Sequence, residues 1–184
     1  MIKMMMKKMN WIRDDSIPCL RDSFYSINKI RVGVWFEMVF IVTVMLVMMI
    51  DQVTKYYITK NFFVAQSLPI IRNVFHITYV QNPGAAFGIL KNKTLFFIII
   101  SIVIVVLILI YLKHIPSNKK LLRFGLSLQI GGALGNLVDR VKFGYVIDFL
   151  DFRIWPVFNM ADMAIVFGVG ILIYEIMVVS EKRA

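Results

Sequence analysis

Long apolar runs, each ending in a small polar cluster, organise this 184-residue chain. A helix crossing a bilayer needs ~20 apolar residues. Four segments meet that need, at about residues 34–57, 95–112, 121–141 and 159–179. The first has the core VFIVTVMLVMMI and runs into Asp51. The second, LFFIIISIVIVVLILIYL, contains no charge. The third carries Ser127, Gly131 and Gly135 at four-residue spacing, which lets a neighbouring helix approach closely. Between the first two helices, LPIIRNVFHITYV is rich in β-formers and ends in the turn signal Asn82-Pro83-Gly84. An open sheet edge is not tolerated in hydrocarbon, so this piece must lie at the interface or under protein cover. The pattern predicts a membrane all-α fold with a small β element. Residues 1–33 read as an N-terminal extension with no assigned role, 34–180 as one membrane domain, and 181–184 as a tail.

Composition agrees with a membrane domain. Hydrophobic residues make up 59% and charged residues only 17%, against about half and a quarter in soluble domains. The net charge of +10 does not point to nucleic acid, because the basic residues flank apolar segments. Lys and Arg in short loops mark the cytoplasmic side. Lys3, Lys7, Lys8, Arg13, Arg21, Lys29 and Arg31 precede the first helix, and Lys113, Lys119, Lys120 and Arg123 lie around the second connection. With Lys182 and Arg183, these place both termini in the cytoplasm and turn segments 58–94 and 142–158 outward. Cys19 is the one cysteine, so no internal disulfide is expected. His76 and His114 have no matching ligand set, and no metal site or cofactor is expected. Trp35, Tyr56, Tyr57, Phe62, Phe63, Tyr145 and Trp155 read as interfacial anchors, some of which could line a lipid-facing pocket.

Five polar clusters fall on the outward side: DQVTK from Asp51, NPGAAF from Asn82, GNLVDR from Gly135, VIDF around Asp148, and FNMAD ending at Asp162. Ionisable residues in or beside a bilayer are costly and are usually partnered and functional. A water-activating site without His, a Ser–base pair or a metal must use carboxylates, and two close carboxyls share one proton. Asp148, flanked by Val146, Ile147 and Phe149, and Asp162, opening the last helix, form the favoured pair. Asp151, taken as one helical turn from Asp148 and close to Arg153, is the rival. Asp139 is a poorer partner because the adjacent Arg140 favours its ionised form, and the two read best as a structural pair. Asp51 and Lys55, four apart, are equally an ion pair or part of a site. Asn136 and Asn159 could cap or bridge helices, and Asn82-Pro83-Gly84 could be a turn alone.

Taken in order, these blocks, with GGALGNLVDR as the full third block, resemble the bacterial lipoprotein signal peptidases (signal peptidase II) over about residues 38–180. The resemblance implies an intramembrane aspartyl protease with four helices and an outward β-like cradle. It implies cleavage just before a diacylglyceryl-modified cysteine. It puts Asp148 and Asp162 at the catalytic positions, and Asp51, Lys55, Asn82, Gly132, Asn136, Asp139, Arg140 and Asn159 at positions that orient them or bind substrate. The expected partners are lipid-modified prolipoproteins and membrane lipids, the expected working form is a monomer, and the expected place is the bacterial inner membrane with the site near its outer face. A proton-coupled transporter and a non-catalytic scaffold are the rival classes. A transporter is disfavoured by so few helices and by acids gathered at one face.

Overall fold

The computed structural model describes residues 18–84, 93–116 and 119–179. The chain divides into two compact units, Met1–Met38 and Val39–Ala184, and the second contains the sheet and the whole of the site described below. Helix α1 covers Pro18–Asn61, α2 Thr94–His114, α3 Lys120–Phe143 and α4 Met160–Tyr174, the last continuing as a π-helical turn over Glu175–Val179. Among the described residues, four stretches are long and apolar enough to span a membrane: Glu37–Asn61, Thr94–His114, Lys120–Phe143 and Met160–Val178. The side chains of Cys19 and Trp35 and the whole of Ala85-Ala86-Phe87-Gly88 lie outside the described residues.

Helix ends follow local chemistry. α1 is described from Pro18, well inside the segment read as an extension. It also runs past the expected Tyr57. There Thr59 Oγ1 donates to the Tyr56 carbonyl (3.0 Å) and Asn61 Nδ2 to that of Tyr57 (2.7 Å), side-chain bonds that reinforce the last turn. α3 stops at Gly144, whose left-handed φ of 83° turns the chain away and lets its N–H reach the Arg140 carbonyl.

α3 is the central helix. In its most apolar stretch 61% of residues are buried, against 11% in α2. It is also the least uniformly apolar span, because it meets helices and polar groups instead of lipid. Gly131 faces α1, where an added Cβ would lie 2.7 Å from Val47 Cβ. On its other side Gly125 packs against Gly168 and Ile171 of α4. Small residues here do what bilayer helices need, allowing backbones to approach when lipid offers no hydrophobic driving force.

Strands β1 (Ser67–Ile71), β2 (Phe75–Asn82) and β3 (Val146–Asp151) form one antiparallel sheet in the order β1-β2-β3. The β-prone stretch therefore folds as a hairpin, turning at Asn73 in a left-handed conformation (φ 61°). The expectation that Asp151 lies one helical turn from Asp148 is corrected: both stand on β3. Val-Ile-Asp-Phe-Leu-Asp is short and rich in β-branched and aromatic residues, and it follows a helix-stopping glycine. Side chains three apart on a strand point to opposite faces. The free edge of β3 is partly covered by Phe158, whose carbonyl accepts from Phe149 N (3.0 Å) and Leu150 N (2.8 Å).

Two apolar clusters bracket a polar layer. One gathers Phe40 and Val44 of α1 with Leu122, Leu126 and Ile130 of α3. The other packs Ile58 of α1 under Tyr79, Ile147 and Phe149 of the sheet. Between these positions along α1 lie the buried Asp51 and Lys55, and further along α3 lie Asn136 and Asp139.

Candidate active site

The site begins with one buried lysine. Lys55 is 1% exposed, and its Nζ lies 2.8 Å from Asp51 Oδ2 and 2.9 Å from Asp139 Oδ2. Asp51 and Lys55 are thus an i,i+4 ion pair with a third member on α3. The structural pair expected between Asp139 and Arg140 is corrected: Asp139 turns inward to Lys55, while the Arg140 guanidinium sits over the Phe97 ring, 5.1 Å from its centre. Adjacent residues on a helix point about 100° apart and do not face each other. Asp139 also accepts from Gln52 Nε2 (2.9 Å) and the Ile147 N–H (3.1 Å), tying α1 and β3 to α3. Asp51 accepts from the Ala161 N–H (3.0 Å), an orphan donor in the first turn of α4. An isolated buried charge costs several kcal/mol, and pairing plus filled hydrogen bonds offsets that cost.

Two glycines make this convergence possible. A Cβ on Gly135 would stand 2.6 Å from Asp51 Oδ2. A Cβ on Gly132 would stand 2.3 Å from the Ala161 carbonyl oxygen. Gly132 therefore admits the start of α4, and Gly135 admits the carboxylate that holds it.

From Lys55 the network passes through two amides. Asn136 Oδ1 accepts from Lys55 Nζ (2.9 Å) and from Asn159 Nδ2 (3.1 Å). With its oxygen so used, Asn136 turns its Nδ2 to Asp162 Oδ1, 2.7 Å away. Asn159 is the N-cap of α4 and closes a capping box with Asp162: its Oδ1 accepts from the Asp162 N–H (3.0 Å), and its own N–H donates to Asp162 Oδ2 (3.3 Å). Asn159 Nδ2 also donates to Asp148 Oδ1 (2.7 Å), and Asn82 Nδ2 donates to Asp148 Oδ2 (2.9 Å). Each of the four oxygens of Asp148 and Asp162 has one N–H donor, and Asn159 serves both residues.

Burial pushes the Asp148 carboxyl up to about 7, with the charge of Asp162 adding to the effect and the donors Asn82 and Asn159 opposing it. Asp151 is placed elsewhere. Its carboxylate accepts from Thr78 Oγ1 (2.8 Å) and the Arg153 N–H (2.9 Å), and pairs with Arg153 Nη1 (3.1 Å). Although burial acts to raise it, those hydrogen bonds hold this carboxyl below its usual range.

Two depressions meet at Asp162. One, of about 300 Å³, is bordered by Asn82, Arg140, Val146, Trp155 and Phe158. The other, of about 380 Å³, runs along α4 past Met163, Val166 and Phe167 and is almost wholly apolar. Trp155, Phe158 and Asp162 border both.

The profile describing Signal peptidase (SPase) II matches residues 43–178. The chain belongs to the signal peptidase II family. The protein named lipoprotein signal peptidase from Moorella thermoacetica is 54% identical over 146 residues, which is 79% of this chain and 97% of that one. Its namesake from Halothermothrix orenii is 50% identical, over 74% of this chain and 92% of that one. A bacterial membrane enzyme solved by the in meso method superposes with a TM-score of 0.74 at 35% identity, covering 79% of this chain and 92% of that one. The protein is thus a multi-pass membrane enzyme of the signal peptidase II family, mostly helical, with four helices among the described residues long and apolar enough to span a membrane and a small antiparallel sheet.

The ten polar and glycine positions singled out from the sequence all fall in or beside this network, but Gln52 was not among them. Its Nε2 reaches Asp51, the Gly135 carbonyl and Asp139. Its position inside the DQVTK block was the available signal. Thr78, which anchors Asp151, carried none, since its contact depends on strand register.

Proposed function

We propose that this signal peptidase II family protein is an intramembrane aspartyl endopeptidase. It removes signal peptides from diacylglyceryl-modified prolipoproteins, cutting just before the lipidated cysteine. The observation that carries this reading is the carboxyl pair bridged by Asn159, with Asp148 buried behind Asp162 and Asp162 bordering both a cavity of mixed lining and an apolar groove.

Asp148 keeps its proton near neutrality and serves as the acid, donating to the oxygen of the scissile carbonyl. Asp162 lies in the first turn of α4, where a helix dipole suits a negative charge, and takes the proton from the attacking water. Asn82, Asn136 and Asn159 fix the carboxyl planes, and Asp51, Lys55 and Asp139 fix Asn136 and the start of α4. Arg140, bordering the cavity of mixed lining, meets substrate carbonyls or a headgroup. The groove along α4 takes the acyl chains: Val166 and Phe167 are exposed there, open to lipid and to lateral entry of a membrane-borne substrate. Neither proton transfer calls for a metal or cofactor.

The excess of Lys and Arg around the termini and the second connection orients the chain with both ends in the cytoplasm of a bacterium. The sheet and the site then face the outer side of the inner membrane. One chain supplies all the groups named, so a monomer suffices. Detergent-purified protein, given a diacylglyceryl-modified prolipoprotein, should release the signal peptide. A folded preparation that cleaves no lipidated substrate would favour a transporter or a scaffold instead.

A further inference from the structure

The connection between β3 and α4 contains an expensive backbone conformation. Arg153 has φ 67°, in the left-handed region that a side chain with a Cβ rarely adopts. What stabilises it is Asp151, which accepts from the Arg153 N–H at 2.9 Å and meets its guanidinium at 3.1 Å. Asp151 is in turn fixed, 4% exposed and held by Thr78 Oγ1 of β2. Two residues beyond Arg153 stands Trp155, which borders both the cavity beside Asn82 and Arg140 and the apolar groove. The turn at Arg153 leads within two residues to that indole.

We infer that Asp151 is a positioning residue for substrate, clipping Arg153 so that Trp155 stands as the divider between the peptide cavity and the acyl groove. This rests on the proposed cleavage of lipidated prolipoproteins. In such a substrate peptide and acyl chains diverge at the modified cysteine. An aromatic wall at the point of divergence holds each part in its own channel. Asp151 touches neither the reacting atoms nor substrate, so its effect belongs in binding. It acts on KM, through Trp155, and not on the proton transfers of Asp148 and Asp162.

The test uses the full chain in detergent and a synthetic prolipoprotein bearing a diacylglyceryl-modified cysteine. Wild-type cleavage tests the underlying reading, and a wild type that cleaves nothing overturns both. Given wild-type cleavage, Asp151→Ala should raise KM roughly five- to tenfold while kcat stays within about twofold. Arg153→Gly removes the guanidinium arm of the clip, keeps the backbone N–H bond to Asp151 and frees the turn to adopt other conformations, and the half-exposed side chain it replaces makes folding safe, so it should raise KM in the same direction. Trp155→Ala should raise KM at least as much, and adding Asp151→Ala to it should change little further, because the two act through one element. A purely structural role would give additive losses or a fall in kcat. Unchanged KM in folded Arg153→Gly, additive effects with Trp155→Ala, or a loss confined to kcat would each overturn the clip. If Asp151→Ala does not fold, Arg153→Gly and its combination with Trp155→Ala decide the matter.

Discussion

Asn159 and Asp162 hold each other across the first turn of α4, each side chain bonded to the other's backbone N–H, while the spare Asn159 amide reaches Asp148 at 2.7 Å. A helix cap and a catalytic constellation therefore share one residue. The cap fixes the Asp162 rotamer, and the same amide sets its relation to β3.

These two jobs can be separated. Asn159→Ser restores a capping oxygen but not the donor to Asp148. It should cost under about 1 kcal/mol of stability, whereas Asn159→Ala should cost about 1 kcal/mol through the lost cap. Both should lose roughly a hundredfold or more in kcat, as when a preorganised donor is removed. Thermal melts beside cleavage rates make the check. Recovery of activity in Asn159→Ser would show that the cap alone matters.

Much of this was legible in the sequence. Membrane length and composition exposed the four helices, because twenty apolar residues admit few other structures. The acids and amides could be picked out because polar groups beside lipid are so costly. What stayed hidden depended on which side chains meet. Asp139 sits next to Arg140 in the chain, yet helix geometry turns it to Lys55 on another helix. Asp151 looked like a neighbour of Asp148 until a strand put the two on opposite faces. A six-residue segment such as VIDFLD carries no period long enough to distinguish strand from helix.

The buried lysine yields an asymmetric prediction. Removing Lys55 leaves Asp51 and Asp139 facing each other without a cation, whereas removing one carboxylate leaves a matched pair. Lys55→Met should destabilise by about 3–5 kcal/mol, and Asp51→Asn by less. Unfolding midpoints in detergent would rank them. Equal midpoints would mean that the three charges do not share one network.

Gly132 should tolerate no side chain. A Cβ there meets the Ala161 backbone, which cannot rotate away as a side-chain tip could. Gly132→Ala should cost about 1–3 kcal/mol as an overpacked contact, and should shift the start of α4 and so lower kcat. A variant with wild-type melting and wild-type rate would refute the close approach.

The pH dependence follows from Asp148. Its carboxyl is raised to about 7 by burial and by Asp162, and the acid role needs its proton. Activity should therefore fall as pH climbs through about 7, and at the acid end it should fall as the pair gains its second proton; both limbs belong to the pair. Asn82 donates to the ionised form, so Asn82→Ala should move the alkaline limb to higher pH. A kcat/KM profile for both proteins is the check. An alkaline limb that moves down, or not at all, would contradict the acid assignment.

The paired carboxylates are tested most directly by cleavage of a diacylglyceryl-modified prolipoprotein by purified wild type, Asp148→Asn and Asp162→Asn, with folding verified for each. Signal-peptide release by wild type and by neither variant is the result predicted. Full activity in either folded variant would contradict an aspartyl dyad at Asp148 and Asp162.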